Sequence, residues 1–282
     1  MPIKSILNVF IILLIIYLVI VVLTYILQEK LLFHPVSLPK EPFSEKEKEL
    51  KNIESINIKS NDSTKLHGWL AKEDNSNNKQ EKSPLVLYFG GNAEEVSHMV
   101  EVKDKFPGYS LAPFNYRGYG LSEGTPTEEK LFSDALTIYD YMASREDIDE
   151  NNIVLMGRSL GSGVVVHLAS KREVKGLILV TPYDSITNVA KNKLPFLPVS
   201  YLLKHNFDSV NKAPNIKTPM LALIAENDNL VPPEHGKKLA KEWGGEYELK
   251  VIKDKDHNTI DMSEDFWKSI NSFISELNKL KK

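Results

Sequence analysis

Hydrophobic and polar positions follow one pattern at the start of the chain and another in the rest. Residues 6–27 are apolar except for the uncharged Asn8, Tyr17, Thr24 and Tyr25. As a helix rising 1.5 Å per residue, this run is roughly 33 Å long, about the thickness of a bilayer's hydrocarbon core. A cleaved signal peptide would have a shorter apolar run, about 7–15 residues, ending in a small-residue cleavage site. Here the run leaves through Tyr25, Leu27, Gln28 and Glu29. It therefore reads as an uncleaved single-pass anchor, with the membrane as its partner.

Beyond the anchor, short apolar runs alternate with helical stretches, the pattern of a mostly parallel sheet in an α/β protein. Residues 53–59 and 64–71 alternate apolar and polar positions and predict an antiparallel pair at the sheet edge. Residues 75–83 form a polar loop. Runs at 85–89, 110–114, 153–156 and 176–180 read as buried strands, and 220–224 and 247–252 as two more, eight in all. Thr125-Pro126-Thr127-Glu128 predicts a helix start, a capping box with Pro at the first helical position. A closing helix over 264–280 carries Phe266, Ile270, Phe273, Ile274 and Leu277 at helical spacing. Residues 184–211 are too long for a plain crossover and predict a small helical insertion after the sixth strand. The expected organisation is an anchor at 1–28 and an α/β domain at 29–282, with 184–211 as a small cap.

Composition narrows the function classes. The chain of 282 residues has a formal net charge of −3, without the basic excess that a nucleic-acid binder needs. Residues 1–28 hold one Lys and no acid, so removing them takes the charge from −3 to −4. There is no cysteine, which excludes disulfide scaffolds, thiolate zinc sites and Cys nucleophiles. Orientation rests on few charges. Lys4 and the amino terminus precede the span; Lys30, Lys40 and Lys46 follow it, interleaved with acids. The immediate flank leans toward a cytoplasmic amino terminus and an extracytoplasmic body.

The chemistry-bearing motif is Gly157-Arg158-Ser159-Leu160-Gly161, between a predicted strand and a predicted helix. This is the pattern of a nucleophile elbow: the serine sits in a strained turn, and the flanking glycines let strand and helix approach closely. A serine hydroxyl needs a positioned base and a carboxylate. Asp228 leaves the end of the seventh predicted strand, and His257 lies in the final loop, giving the order Ser, acid, His. Glu226 and Asp256 are rival acids. His34, His67, His98, His167, His205 and His235 fall at positions better explained by packing or surface. A metal site from Glu226, Asp228, His235 and Asp254 matches no ligand spacing, and no cofactor is expected. For the oxyanion, the expected donors are the backbone N–H groups of Leu160 and Asn92, the latter in Gly90-Gly91-Asn92-Ala93, with Gly91 as the alternative.

On these residues the chain resembles the α/β-hydrolases, and is most similar to the membrane-anchored Bem46-like and ABHD13/ABHD17-type branch. The likeness covers residues 24–278. It also rests on Leu31-Leu32-Phe33-His34-Pro35, Asn115-Tyr116-Arg117-Gly118-Tyr119-Gly120-Leu121-Ser122, and Thr181-Pro182-Tyr183-Asp184-Ser185. One departure stands out: Gly90 occupies the place where the family usually has His, which is not a triad member. The resemblance implies the α/β-hydrolase fold and hydrolysis of an ester, thioester or amide through an acyl-enzyme. Some relatives act on lipid-modified proteins. Peptidase chemistry on the same fold and a non-catalytic scaffold are the competing readings. For the leading one, the apolar insertion (Leu194, Phe196, Leu197, Tyr201, Leu202, Leu203) is expected to roof the site and favour long acyl groups.

Overall fold

The computed structural model describes residues 3–38, 52–73 and 82–279. The predicted polar loop lies outside them except for its last two residues, and so do Lys40 and Lys46. Helix α1 runs unbroken over Ile3–Leu32, past the anchor end expected at residue 28. The segment that follows is docked: Phe33 is buried, the His34 N–H bonds the Asn92 carbonyl, and Gly120 N–H bonds the Val36 carbonyl.

Eight strands form one sheet in the order β1-β2-β4-β3-β5-β6-β7-β8. They are β1 (Ile53–Lys59), β2 (Lys65–Ala71), β3 (Ser83–Phe89), β4 (Ser110–Phe114), β5 (Ile148–Arg158), β6 (Gly176–Val180), β7 (Met220–Ala225) and β8 (Tyr247–Ile252). The pairs β1–β2 and β2–β4 are antiparallel and the rest parallel. Strands β4, β6 and β7 are buried at every position, because helices cover both faces of the parallel region. Helices α2 (Glu128–Ala143), α3 (Leu160–Ala169) and α6 (Pro233–Lys241) pack on one face, with Leu131, Val164 and Leu239 in its core. The 3-10 helix Val96–Lys105 and α7 (Glu264–Lys279) cover the other face, with Val96, Phe266 and Phe273 in the second core.

Strand β5 starts earlier than its apolar run predicts. Its amino-terminal half holds the half-exposed Asp149 and the exposed Glu150 and Asn151 beyond a register shift against β3. The start of α2 also needs correction. Thr127 is the N-cap, accepting from Lys130 N–H at 3.3 Å, so Pro126 lies outside the helix. Glu128 does not close a capping box. Its carboxylate accepts from the N–H groups of Asn206 (2.7 Å) and Phe207 (2.9 Å), tying α2 to the end of the insertion.

The insertion contains α4 (Ile186–Lys193) and the one-turn α5 (Val199–Leu202). Its root is the buried Asp184 carboxylate, which accepts from His235 Nδ1 (2.7 Å), Lys238 Nζ (2.7 Å), Asn188 Nδ2 (2.7 Å) and Ser185 N–H (2.9 Å). Burial works against this charge, but the four donors outweigh it and hold the Asp184 pKa well below the usual carboxylate range. A carboxylate with a depressed folded-state pKa adds stability that is present above its unfolded pKa. That stability is lost as pH falls toward the folded value. Asp184→Ala is therefore expected to cost about 3 kcal/mol at neutral pH, the scale for breaking a buried ion pair. Thermal melts from pH 7 down to pH 3 check this: the mutant penalty should shrink toward the acid end. A penalty independent of pH would remove charge as its cause.

Candidate active site

Register alone brings two of the predicted elements together. Phe89, the last residue of β3, pairs with Gly157 at the end of β5. The loop after β3 and the turn after β5 therefore emerge side by side at the carboxyl ends of adjacent strands. The sheet order turns back on itself at this point, which is where open α/β sheets place their ligand sites.

Ser159 sits in the turn between β5 and α3 with φ 50° and ψ −115°, outside the regions where a side chain is comfortable. It makes no side-chain capping bond to α3, so it is not an ordinary N-cap. The flanking glycines are required by contact distance. A Cβ on Gly157 would lie 2.3 Å from the Gly161 carbonyl oxygen, and one on Gly161 would lie 2.1 Å from the Phe89 carbonyl oxygen. The turn is held from beneath by Ser159 N–H to the Val180 carbonyl at 2.9 Å.

Asp228 and His257 form a buried pair, with His257 Nδ1 2.7 Å from Asp228 Oδ2. An ionised carboxylate only accepts, so Nδ1 carries the proton and Nε2 is left with its lone pair when the ring is neutral. The other oxygen, Oδ1, accepts from Leu230 N–H (2.9 Å) and Val231 N–H (2.8 Å). The rival acids are occupied elsewhere. Glu226 is exposed and accepts from Asp254 N–H, and Asp256 caps its own loop at Asn258 and Thr259. His235 pairs with Asp184, and His167 stacks on Phe132. Burial pushes the pKa of His67 and of His167 down to about 4, and nearby lysines add to the effect.

Ser159 and His257 line the same cavity of about 340 Å³ together with Gly91, Asn92, Glu94 and Leu230. A further lobe of about 190 Å³ adds Leu32, Leu160, Tyr183, Ile186 and Val231. No hydrogen bond joins the Ser159 hydroxyl to His257 among the described residues. Such contacts commonly tighten only once substrate is bound. A larger cleft of about 490 Å³ between β7, β8 and α7 lies at the opposite ends of the strands. It carries no histidine, serine or threonine, so size alone does not pick the site. The expected roof is not observed: of the insertion, Ile186 reaches the cavity, whereas Phe196 and Tyr201 are exposed outside it. The end of α1 supplies apolar wall in its place.

Among the described residues, neither Asn92 N–H nor Leu160 N–H has a hydrogen-bond partner, whereas Gly91 N–H is taken by Glu94 Oε2 at 2.7 Å. That occupancy favours Asn92 over Gly91 as an oxyanion donor. Sequence reading missed the residues that hold this loop in place. Tyr116 Oη donates to the Gly90 carbonyl (2.8 Å), Tyr119 Oη to the Asn92 carbonyl (2.7 Å), and Asn92 Nδ2 to the Leu32 carbonyl (2.8 Å). Tyr88 Oη fixes Glu94 at 2.7 Å. The space of the family's usual histidine is filled: a Cβ on Gly90 would meet Val96 Cγ1 at 2.8 Å and the Glu94 carboxyl at 3.0 Å. Arg158 was also missed. Its guanidinium bonds Asp261 (3.0 Å) and the His257 carbonyl (3.1 Å), bracing the histidine loop against the elbow. Burial opposes the Arg158 charge, and Tyr88, Glu94 and Asp261 around it outweigh that and raise its pKa.

Known proteins resemble this chain in sequence and in fold. A family model described as serine hydrolase matches residues 139–276. The α/β-hydrolase domain-containing protein WAV2 of Arabidopsis thaliana is 32% identical in an alignment of 204 positions that covers 66% of this chain and 65% of that protein. The chain thus spans just under two thirds of that relative's length. An uncharacterized membrane protein of Saccharomyces cerevisiae, YNL320W, is 30% identical in an alignment of 239 positions that covers 79% of this chain and 80% of that one. In fold, the chain is similar to the Pyrococcus furiosus esterase Pf2001, with a TM-score of 0.67 and 18% identity over 87% of this chain and 99% of that one.

Proposed function

Because the chain belongs to the α/β-hydrolase family of serine hydrolases, we propose that it is a membrane-anchored enzyme that cleaves carboxylic esters or thioesters through Ser159, His257 and Asp228. The observation that carries this reading is the meeting of the strained Ser159, the Asp228–His257 pair and two unengaged backbone N–H groups around one cavity and its adjoining lobe.

In this reading, Ser159 Oγ attacks the acyl carbonyl and His257 Nε2 takes its proton. The carbonyl oxygen becomes an oxyanion held by Asn92 and Leu160 N–H. Collapse of the tetrahedral adduct breaks the bond to the alcohol or thiol, which leaves with the proton from His257. The acyl group stays on Ser159. Water then attacks the acyl-enzyme while His257 accepts its proton, and the same two steps release the carboxylic acid. Asp228 holds the imidazole with Nδ1 protonated and offsets its charge when both nitrogens carry protons. Labelling the full chain with a fluorophosphonate tests the assignment. The phosphonyl adduct should map to Ser159; an adduct elsewhere, or none, overturns it.

The substrate we assign is an acyl ester or thioester with a medium or long chain, presented at the membrane. Support comes from the apolar lobe walled by Leu32, Leu160, Ile186, Leu230 and Val231 next to Ser159. Each methylene buried there adds about 0.8 kcal/mol, so four extra carbons raise efficiency by roughly 200-fold. Measuring kcat/KM for esters from acetyl to palmitoyl with the full chain in detergent micelles decides the matter. A maximum at acetyl or butyryl would leave a small-ester hydrolase. The residues flanking α1 favour a body on the extracytoplasmic side, and protease added to intact cells is expected to remove it.

A further inference from the structure

The two most exposed aromatic side chains of the body's described residues both lie in the insertion: Tyr201 is 90% exposed and Phe196 61%. They stand beside the helix that carries the anchor. Tyr17 Oη donates to the Phe196 carbonyl at 3.2 Å. Gln28 Nε2 donates to the Leu202 carbonyl at 3.2 Å, and its Oε1 accepts from Lys204 N–H at 2.7 Å. The Lys204 ammonium lies 4.6 Å from the centre of the Tyr25 ring. Val21 and Thr24 are half-buried and Gln28 is buried, so with Tyr17 they form one stripe of α1 along which the insertion runs.

Depth follows from that stripe. About 20 residues cross a hydrocarbon core, and counting from Lys4 reaches Thr24 and Tyr25, where an interfacial aromatic belongs. Tyr17 is eight residues further in, roughly 12 Å at the helical rise. A segment bonded to Tyr17 therefore lies below the headgroups.

The segment is built for that depth. Non-helical backbone is costly in hydrocarbon unless its polar groups are paired. Here Leu194, Leu197, Val199, Tyr201 and Leu203 donate their N–H groups within the insertion and Pro195 and Pro198 have none to satisfy, which leaves the Phe196 N–H without a partner among the described residues. From 186 to 204 there are three lysines, Lys191, Lys193 and Lys204, and no acid.

We propose that residues 194–201 are a second membrane element, dipping into the leaflet beside α1. Phe196 and Tyr201 sit among the acyl chains, and Lys191, Lys193 and Lys204 lie at the level of anionic lipid phosphates. This rests on α1 being the anchor and adds that the insertion is seated in lipid.

The absence of cysteine allows a direct test. Phe196→Cys, Tyr201→Cys, Leu14→Cys in α1 and Lys268→Cys on α7, across the sheet, are each labelled with the fluorophore NBD. The full-length proteins are placed in phosphatidylcholine vesicles containing phosphatidylglycerol. Retained fluorophosphonate labelling shows that each variant is folded, and the very exposed Tyr201 loses little packing when replaced. Lipid carrying a nitroxide on its acyl chain should quench positions 14, 196 and 201 by roughly twofold and leave 268 unchanged, as expected for side chains within the hydrocarbon. Aqueous iodide should do the reverse. If 14 is quenched by lipid while 196 and 201 behave like 268, the proposal falls and the anchor stands. If 14 is not quenched by lipid, both fall. Shielding of 196 and 201 from both quenchers would show a protein surface there and also overturn the proposal.

Discussion

Replacing Ser159 with Ala is expected to lower turnover by roughly 10⁶-fold while leaving the fold intact. That is the scale at which a serine protease loses activity when its nucleophile is removed, the residual rate coming from the oxyanion donors and binding. The physical reason the fold should survive is local. The strained backbone at 159 is stabilised by Ser159 N–H to Val180 and by the close contacts of Gly157 and Gly161, none of which uses the hydroxyl. Ala keeps the same backbone and removes the atom that attacks. Melting temperature, ester turnover and fluorophosphonate labelling, measured together on wild type and mutant, separate the two effects. Equal labelling of both proteins would end the serine-hydrolase mechanism at this residue.

Asp228→Asn should be the next most damaging, with a loss on the order of 10⁴ in kcat, as for the corresponding change in a serine protease. The argument here is specific to the surroundings of Asp228. Oδ1 already accepts two backbone N–H groups, from Leu230 and Val231. An Asn at this position must keep its carbonyl oxygen there and so turns its NH₂ toward His257. The imidazole then accepts at Nδ1 and carries its proton on Nε2, where it cannot take one from Ser159. Glu226→Gln and Asp256→Asn, in exposed loop roles, should change kcat by less than about tenfold. Should Glu226→Gln be the most damaging of the three, the acid has been assigned to the wrong carboxylate.

Most of this architecture was legible because it is written in local patterns. The central strands are continuous apolar runs, so their positions followed from burial on both faces. The elbow was readable because close packing at 157 and 161 tolerates only glycine. What escaped was set by contacts between distant segments. Arg158 occupies the variable position of its motif, and nothing near it in sequence shows that it braces the His257 loop. Tyr116 and Tyr119 entered as part of a resemblance, and only the fold reveals that their hydroxyls hold the carbonyls of Gly90 and Asn92. The start of α2 was misplaced by two residues because Glu128, which looked like half of a capping box, is claimed by Asn206 and Phe207, 78 and 79 residues away. The apolar insertion was expected over the active site. Its pattern shows that it has a greasy face, but not which way that face points.

The junction between α1 and the insertion bears on the order in which this protein is made. Tyr17 and Gln28 meet partners 179 and 174 residues later in the chain. During synthesis, the helix leaves the ribosome long before Leu202 and Lys204 exist, and domains fold as they emerge from the amino terminus onward. The insertion therefore closes onto a helix already in place, and the body completes its fold with one end templated. A chain begun at residue 29 would lack the amide that joins Leu202 to Lys204, and one begun at 33 would also lack Leu32 in the wall of the cavity. The first helix is thus a late-acting scaffold for the domain that follows it, and a version trimmed for solubility would have to fold without that scaffold.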